Sequence, residues 1–369
     1  MAINILDNLL INRISAGEVV ESPFSIVKEL IDNSIDAGAD KIEISIKAGG
    51  IDQIIVKDNG KGIDYDDIVK AFLPHATSKI KNLEDLENIM TLGFRGEALA
   101  SISNVAQTSL STKTKTSDCA FKLEVNGGHF GEIEATTQGD GTKIEVNNLF
   151  FNTPARRKFL RKPKTEETQI TNVVARYILA NPSISFKYTV DDKVVYQTKG
   201  KTLLDAITCV YGIDITQNLI YVEREKNNVK VSGYVSKIGF SKPNTTYQTL
   251  ILNNRYVIDE IVSKAVYMAN EEYLMPRQFP MYILNITMPS INVDVNVHPS
   301  KMSVKFANPS EIYNLVYSAV KSKVYEQINP VSTTPIKDNL AVEESLIKVD
   351  LVSLNEIEVA PIENSTSSP

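Results

Sequence analysis

The stretch VKELIDNSIDAG, residues 27–38, sets polar side chains where a helix should bury itself. Phe24, Ile26, Val27, Leu30 and Ile31 recur as on an amphipathic helix. It opens after Ser22 with Pro23 at the first helical position, where a missing N–H costs nothing, and closes near Gly38. Glu29, Asn33 and Asp36 then share one face, with no lysine or arginine three or four positions further on to pair with them. A carboxylate, an amide and a second carboxylate in line call for a chemical reason.

Working outward, KIEISIK (41–47) alternates apolar and polar, Gly49-Gly50 turns the chain, and QIIVKD (53–58) runs straight into DNGKGI (58–63). This reads as helix, strand, turn, strand. DNGKGI is no EF-hand loop, because Gly60 and Gly62 stand where calcium ligands are needed. It remains open between a plain turn and a strand-end carboxylate, Asp58, set to accept a hydrogen bond from a flat heterocycle lying on flexible backbone. Short helices are expected at 66–73 and 83–90. GFRGEAL (93–99) places two glycines before another, where outward backbone N–H groups favour an anion. Gly200-Lys201-Thr202 mimics the end of a Walker loop, but Val195 replaces the required glycine.

Strands are expected at 106–112, 119–125, 130–135 and 142–147, a helix at 165–180, and a hairpin at 185–198. Beyond a boundary near 200 come a helix at 202–211, strands at 217–223, 228–236 and 246–252, and a helix at 259–270. Strands at 280–288, 292–297 and 302–306 and a helix at 310–327 complete the pattern. RRKFLRKPK (156–164) is open between a solvated turn and a contact to phosphate backbone through Arg161, Lys162 and Lys164.

The 369 residues suit two domains, and 43% apolar with 23% charged residues is ordinary globular composition. No run approaches the ~20 apolar residues of a membrane span, and no signal peptide is expected. Cys119 and Cys209 form no close pair, and His75, His129 and His298 are scattered, so the cytoplasm is the default. The net charge of -6 belongs mostly to residues 331–369, where seven acids face two lysines. That segment reads as a linker or disordered tail leading to a further domain.

Taken together, the Glu29/Asn33 helix, DNGKGI, GFRGEAL and Gly139-Asp140-Gly141-Thr142 resemble the GHKL ATPases. This is the superfamily of DNA gyrase, the ninety-kilodalton chaperones, histidine kinases and the MutL mismatch-repair family. HATSKI, GFRGEALASI, NTPARRKFL and VDVNVHPSK are specifically similar to the last. The resemblance, from residue 14 to about 327, implies an α+β Bergerat-type ATPase sandwich over 1–200. A ribosomal-protein-like α/β domain over 201–330 and the tail over 331–369 would follow.

It further implies an ATP site with magnesium. Glu29 would activate water, and Asn33 would supply the metal an oxygen. Asp58 would take the adenine amino group, with Gly62 and Thr142 beside it. Gly93, Phe94, Arg95, Gly96, Ala98 and Leu99 would wrap the phosphates, with Lys79 and, from the second domain, Lys301 reaching them. Expected partners are DNA without sequence preference, a second copy once ATP is bound, the mismatch-recognition protein MutS and a downstream nuclease or helicase. No membrane partner and no nuclease site are expected, and the apolar arm 1–20 would join the dimer contact. A topoisomerase-type ATPase subunit and a scaffold that binds ATP without hydrolysing it are the alternatives.

Overall fold

A computed structural model describes residues 20–78, 96–294 and 304–329. The expected helix at 83–90, the arm 1–19, the loop 298–301 and the tail from 330 lie outside them. Everything described up to Ile328 belongs to one compact unit.

Helix α1 (Pro23–Asp36) follows Ser22, whose capping box is completed by Ser25. Strands β1 (Lys41–Lys47) and β2 (Gln53–Asp58) form an antiparallel pair in which Ile42 faces Asp58. Next come α2 (Ala98–Val105), β3 (Gln107–Lys113), β4 (Ala120–Asn126), β5 (His129–Thr136) and β6 (Gly141–Asn147). A short α3 (Pro154–Phe159), a long α4 (Pro163–Ala180), β7 (Ser185–Val190) and β8 (Lys193–Gln197) close the first half. The eight strands make one sheet in the order β5-β4-β3-β6-β2-β1-β7-β8. All neighbours run antiparallel except β1 and β7, which are parallel with Lys41 opposite Ser185.

Helices α1, α2 and α4 cover one face. Ile26, Val27, Leu30 and Ile31 of α1, Ile102 of α2 and Ile170, Val174 and Ile178 of α4 meet the inward isoleucines of β1 and β2. Each such side chain contributes about 1.5–3 kcal/mol by leaving water. The face turned away from the helices carries Glu43, Lys57, Lys143 and Lys187 around a shallow hollow, so the layer is a two-layer sandwich, as expected.

The second half holds α5 (Leu203–Tyr211), α6 (Ile213–Thr216), β9 (Leu219–Lys226), β10 (Val229–Ser236), β11 (Gln248–Leu252) and β12 (Arg255–Val257). It continues through α7 (Glu260–Asn270), β13 (Tyr282–Thr287), the pair β14 (Val293–Asp294) and β15 (Lys305–Phe306), and α8 (Pro309–Ile328). Five strands form a mixed sheet, β12-β11-β13-β10-β9. One face packs on α7 and α8 through Val262, Val266, Leu315 and Val316. From the other, Ile251, Met281 and Ile283 join the core of the first sheet, so a single apolar core runs across residue 200.

Polar contacts accompany that shared core. The Arg176 guanidinium of α4 donates to the Thr246 carbonyl at 2.6 Å, to Thr249 Oγ1, and to the Tyr211 hydroxyl at 3.3 Å. It also lies 5.0 Å from the centre of the Tyr256 ring.

Several details differ from the sequence expectations. Residues 66–73 form two separate 3-10 turns, Tyr65–Asp67 and Lys70–Phe72, instead of one helix. The helices α3 and α6 and the strand β12 were not expected. Pro154 after Thr153 is the start signal that marks α3.

Candidate nucleotide site

Asp58 ends β2 and is 8% exposed, yet its carboxylate has three donors. The Ser34 hydroxyl of α1 donates to Oδ2 at 2.9 Å. The backbone N–H groups of Gly60 and Thr142 donate to Oδ1 at 2.9 and 3.2 Å. Burial raises the pKa of this group, and the three hydrogen bonds only partly offset it. A carboxylate has about four acceptor positions, so capacity remains for one further donor.

Two glycines let the backbone close in around it. Gly141, at φ +111°, starts β6 so near β2 that a Cβ there would lie 2.1 Å from the Asp58 carbonyl oxygen. Gly62, at φ +73°, has the Lys113 carbonyl oxygen 2.3 Å from the place a Cβ would take. What demands Gly62 is thus the end of β3, a reason invisible in DNGKGI itself. Thr142 is half-buried, and its hydroxyl lies 3.4 Å from that of Thr112. Thr112 in turn accepts the N–H of Ile63 at 2.8 Å, tying the glycine loop to β3.

Glu29 and Asn33 stand one turn apart on α1, both half-buried. The helix that carries them is the one whose Ser34 grips Asp58, so the three residues belong to one locality. Side chains around them complete it. Lys28 Nζ lies 2.9 Å from Asp32 Oδ2 and 3.4 Å from Glu29 Oε1. Tyr177 of α4 donates its hydroxyl to Asp32 Oδ1. Burial pushes the Asp32 carboxyl up, with Lys28 acting against that. Burial opposes the charge on Lys28, but Asp32 and Glu29 outweigh it and hold the ammonium above its ordinary value.

Gly96, Ala98 and Leu99 stand at the start of α2, where Ser101 N–H bonds back to the Glu97 carbonyl at 2.8 Å. His75 Nδ1 lies 3.0 Å from Glu97 Oε1, which holds the HATS segment against that helix start. Lys79, Gly93, Phe94, Arg95 and Lys301 fall outside the described residues. Arg161 and Lys162 are exposed in the α3–α4 connection, while exposed Lys164 sits 2.7 Å from Glu167. Among the described residues no group of three or more His, Cys, Asp or Glu side chains could hold a metal ion, and no helix is long and apolar enough to cross a membrane. The donor set nonetheless suits magnesium bound with a nucleotide, since Asn33 offers one side-chain oxygen and the phosphates supply others.

Ser34, Thr112, Lys28, Asp32 and Tyr177 were missed by sequence reasoning. Lys28 and Asp32 did carry a signal, a lysine and an aspartate four apart on the helix.

Residues 20–145 match the family described as histidine kinase-, DNA gyrase B- and HSP90-like ATPase, so the first sheet and its site define a GHKL-type ATPase domain. Residues 207–325 match the family of the DNA mismatch repair protein C-terminal domain. The DNA mismatch repair protein MutL of Clostridium acetobutylicum is 42% identical over 361 residues, covering 97% of this chain and 58% of that protein. MutL of Caldanaerobacter subterraneus is 42% identical over 346 residues, 94% of this chain and 58% of its own length. A solved N-terminal domain of a DNA repair protein superposes with a TM-score of 0.72 at 29% identity, over 86% of this chain and 98% of that one. The Aquifex aeolicus MutL ATPase domain, solved with ADP, shares the fold at a TM-score of 0.58 and 24% identity, over 81% and 98%. The chain belongs to the MutL family of DNA mismatch repair proteins, and it spans less than three-fifths of the length of these MutL relatives.

Proposed function

We propose that this chain is the ATP-binding and ATP-hydrolysing switch of mismatch repair. The observation that carries the reading is Asp58, a buried carboxylate held by Ser34, Gly60 and Thr142 with acceptor capacity to spare. An adenine amino group is a donor that fits it, with Thr142 and Gly62 flanking the base. Glu29 orients and deprotonates the attacking water, and Asn33 gives a neutral oxygen to the metal. Magnesium, when bound with ATP, neutralises charge on the phosphates.

The amides from Gly93 to Leu99 hold the phosphates at a helix start, and Lys79 and, from the second domain, Lys301 supply positive charge to them. ATP closes these segments, and only the closed state presents a surface for a second copy, to which the apolar arm 1–20 contributes. Hydrolysis reopens it. The division is an ATPase domain to about residue 200, a second domain to about 330, then an acidic tail. Non-specific DNA contact through Arg161, Lys162 and Lys164 accompanies the cycle. MutS and a downstream nuclease or helicase are the partners, in the cytoplasm, and this chain adds no nuclease reaction of its own.

Steady-state turnover tests the enzymatic half. Glu29→Ala should keep ATP binding and lose roughly 10²–10⁴ in rate, whereas Asn33→Ala should lose binding. Wild-type turnover in Glu29→Ala removes that role. Sedimentation tests the switch: a monomer without nucleotide should become a dimer with a non-hydrolysable ATP analogue, less so in Lys301→Ala. A chain that stays monomeric at saturating analogue refutes it.

A further inference from the structure

The helix α1 brings together two side chains that do not normally face each other. Adjacent helical residues point about 100° apart around the axis, yet the Lys28 ammonium lies 3.4 Å from the Glu29 carboxylate. The reason is one turn further along. Asp32, 3% exposed, sits beneath the lysine and draws the ammonium to 2.9 Å. A carboxylate that deep is costly unless it is paired and hydrogen-bonded. Here the second partner comes from another helix: Tyr177 of α4 donates to the other Asp32 oxygen and lies 3.4 Å from the Lys28 carbonyl. The chain of contacts therefore runs from Tyr177 on α4 through buried Asp32 to Lys28 and Glu29.

We propose that Lys28 is a positioning residue for Glu29, locked in place by Asp32 and, through it, by Tyr177. This rests on the reading of Glu29 as the group that activates water. Glu29 is half-exposed, and a glutamate there has three rotatable bonds and no reason to hold one direction. The ammonium touches Oε1, which leaves Oε2 to receive the water's proton. Removing the ammonium frees the carboxylate to swing, so the rate suffers and nucleotide binding, which needs Asp58 and Asn33, does not. A group displaced by about an ångström is enough for a large loss in rate.

The experiment measures kcat, KM and the affinity for a fluorescent non-hydrolysable ATP analogue in the whole 369-residue chain. Lys28→Met should lower kcat roughly tenfold with KM and analogue affinity within about twofold, and Lys28→Arg should recover at least about half of wild-type kcat. Because Lys28→Met leaves Asp32 buried with one partner fewer, two further variants guard against a folding defect. Lys28→Met/Asp32→Asn removes both charges at constant shape, and Tyr177→Phe removes one hydroxyl; each should show the same split between kcat and KM, the latter about threefold in kcat. In a Glu29→Ala background, adding Lys28→Met should change the residual rate by less than about twofold, because the two act as one unit. Wild-type kcat in Lys28→Met overturns the proposal, as does an equal loss with Glu29 already gone. A wild-type chain whose hydrolysis does not depend on Glu29 at all overturns the underlying reading as well, and the Glu29→Ala control separates that outcome from the others.

Discussion

The Arg176 guanidinium on α4 and the Thr246 carbonyl before β11 are 2.6 Å apart, joining the helix layer of the first sheet to the start of β11 in the second. The same side chain reaches Thr249, Tyr211 and the Tyr256 ring, so one arginine serves four residues beyond position 200. Arg176→Met keeps the stem and deletes these contacts. It should cost about 2–4 kcal/mol, given charged hydrogen bonds and a ring contact. Thermal unfolding should show the lower Tm, and hydrogen exchange should rise first in 246–257. A variant with unchanged Tm and exchange would mean that the apolar core alone joins the two sheets.

Asp58→Asn keeps the shape of the site and removes its charge. ATP affinity should fall by roughly 10- to 100-fold, the worth of a hydrogen bond to a charged acceptor. The stability of the nucleotide-free protein should move the other way with pH. Burial raises the pKa of Asp58 above its unfolded value of about 3.9. Between those two values the folded state therefore holds more protons, so stability contributed by this group is full below the unfolded pKa and lost as pH rises through the folded one. Unfolding curves from pH 4 upward should show a shallower decline in Asp58→Asn than in wild type. A steeper one would contradict the assigned direction.

Gly62→Ala tests whether the glycine loop is fixed by β3. The methyl group would meet the Lys113 carbonyl at 2.3 Å in a left-handed backbone conformation. A loss of about 1–3 kcal/mol is expected without nucleotide present. If denaturant midpoints match wild type while ATP affinity falls, the glycine serves the ligand instead.

Much of the candidate site was legible because it is local. The Glu29/Asn33 face and the DNGKGI strand end each lie within a few residues, where helical and strand periods act. What was illegible depends on chain segments far apart. Nothing near residue 32 announces Tyr177, and nothing near residue 62 announces the Lys113 carbonyl. The turns at Tyr65–Asp67 and Lys70–Phe72 carry helix-like composition, but the chain makes only single 3-10 turns there. The strand β12, by contrast, is local: it pairs with β11 across the turn Asn253-Asn254, both at positive φ, a hairpin signal that sequence reasoning passed over.

The basic run around α3 offers a separate test. Arg156 is half-buried against the Phe150 ring, 5.9 Å from its centre, so it is not available as an outward contact. Arg161 and Lys162 are exposed, and the exposed pair of Lys164 with Glu167 is worth little and breaks easily. Replacing Arg161, Lys162 and Lys164 by glutamate should weaken DNA binding at low salt and reduce the slope of log affinity against log salt, by about 0.9 per lost phosphate contact. Fluorescence anisotropy at several salt concentrations decides; an unchanged slope returns the run to solvent.

The parallel pairing of β1 with β7 sets the order in which this molecule can be finished during synthesis. Lys41 waits for Ser185, and at 5–20 residues per second the intervening stretch of about 140 residues takes roughly 7 to 30 seconds to leave the ribosome. Through that interval one flank of β1 shows an unpaired row of amides and carbonyls beside Ile42, Ile44 and Ile46, an open edge of the kind that recruits other chains. A product truncated between β2 and β7 never closes it. Premature termination in this region therefore yields a sticky fragment and not merely an inactive one, and the burden of keeping it soluble falls on whatever meets the nascent chain first.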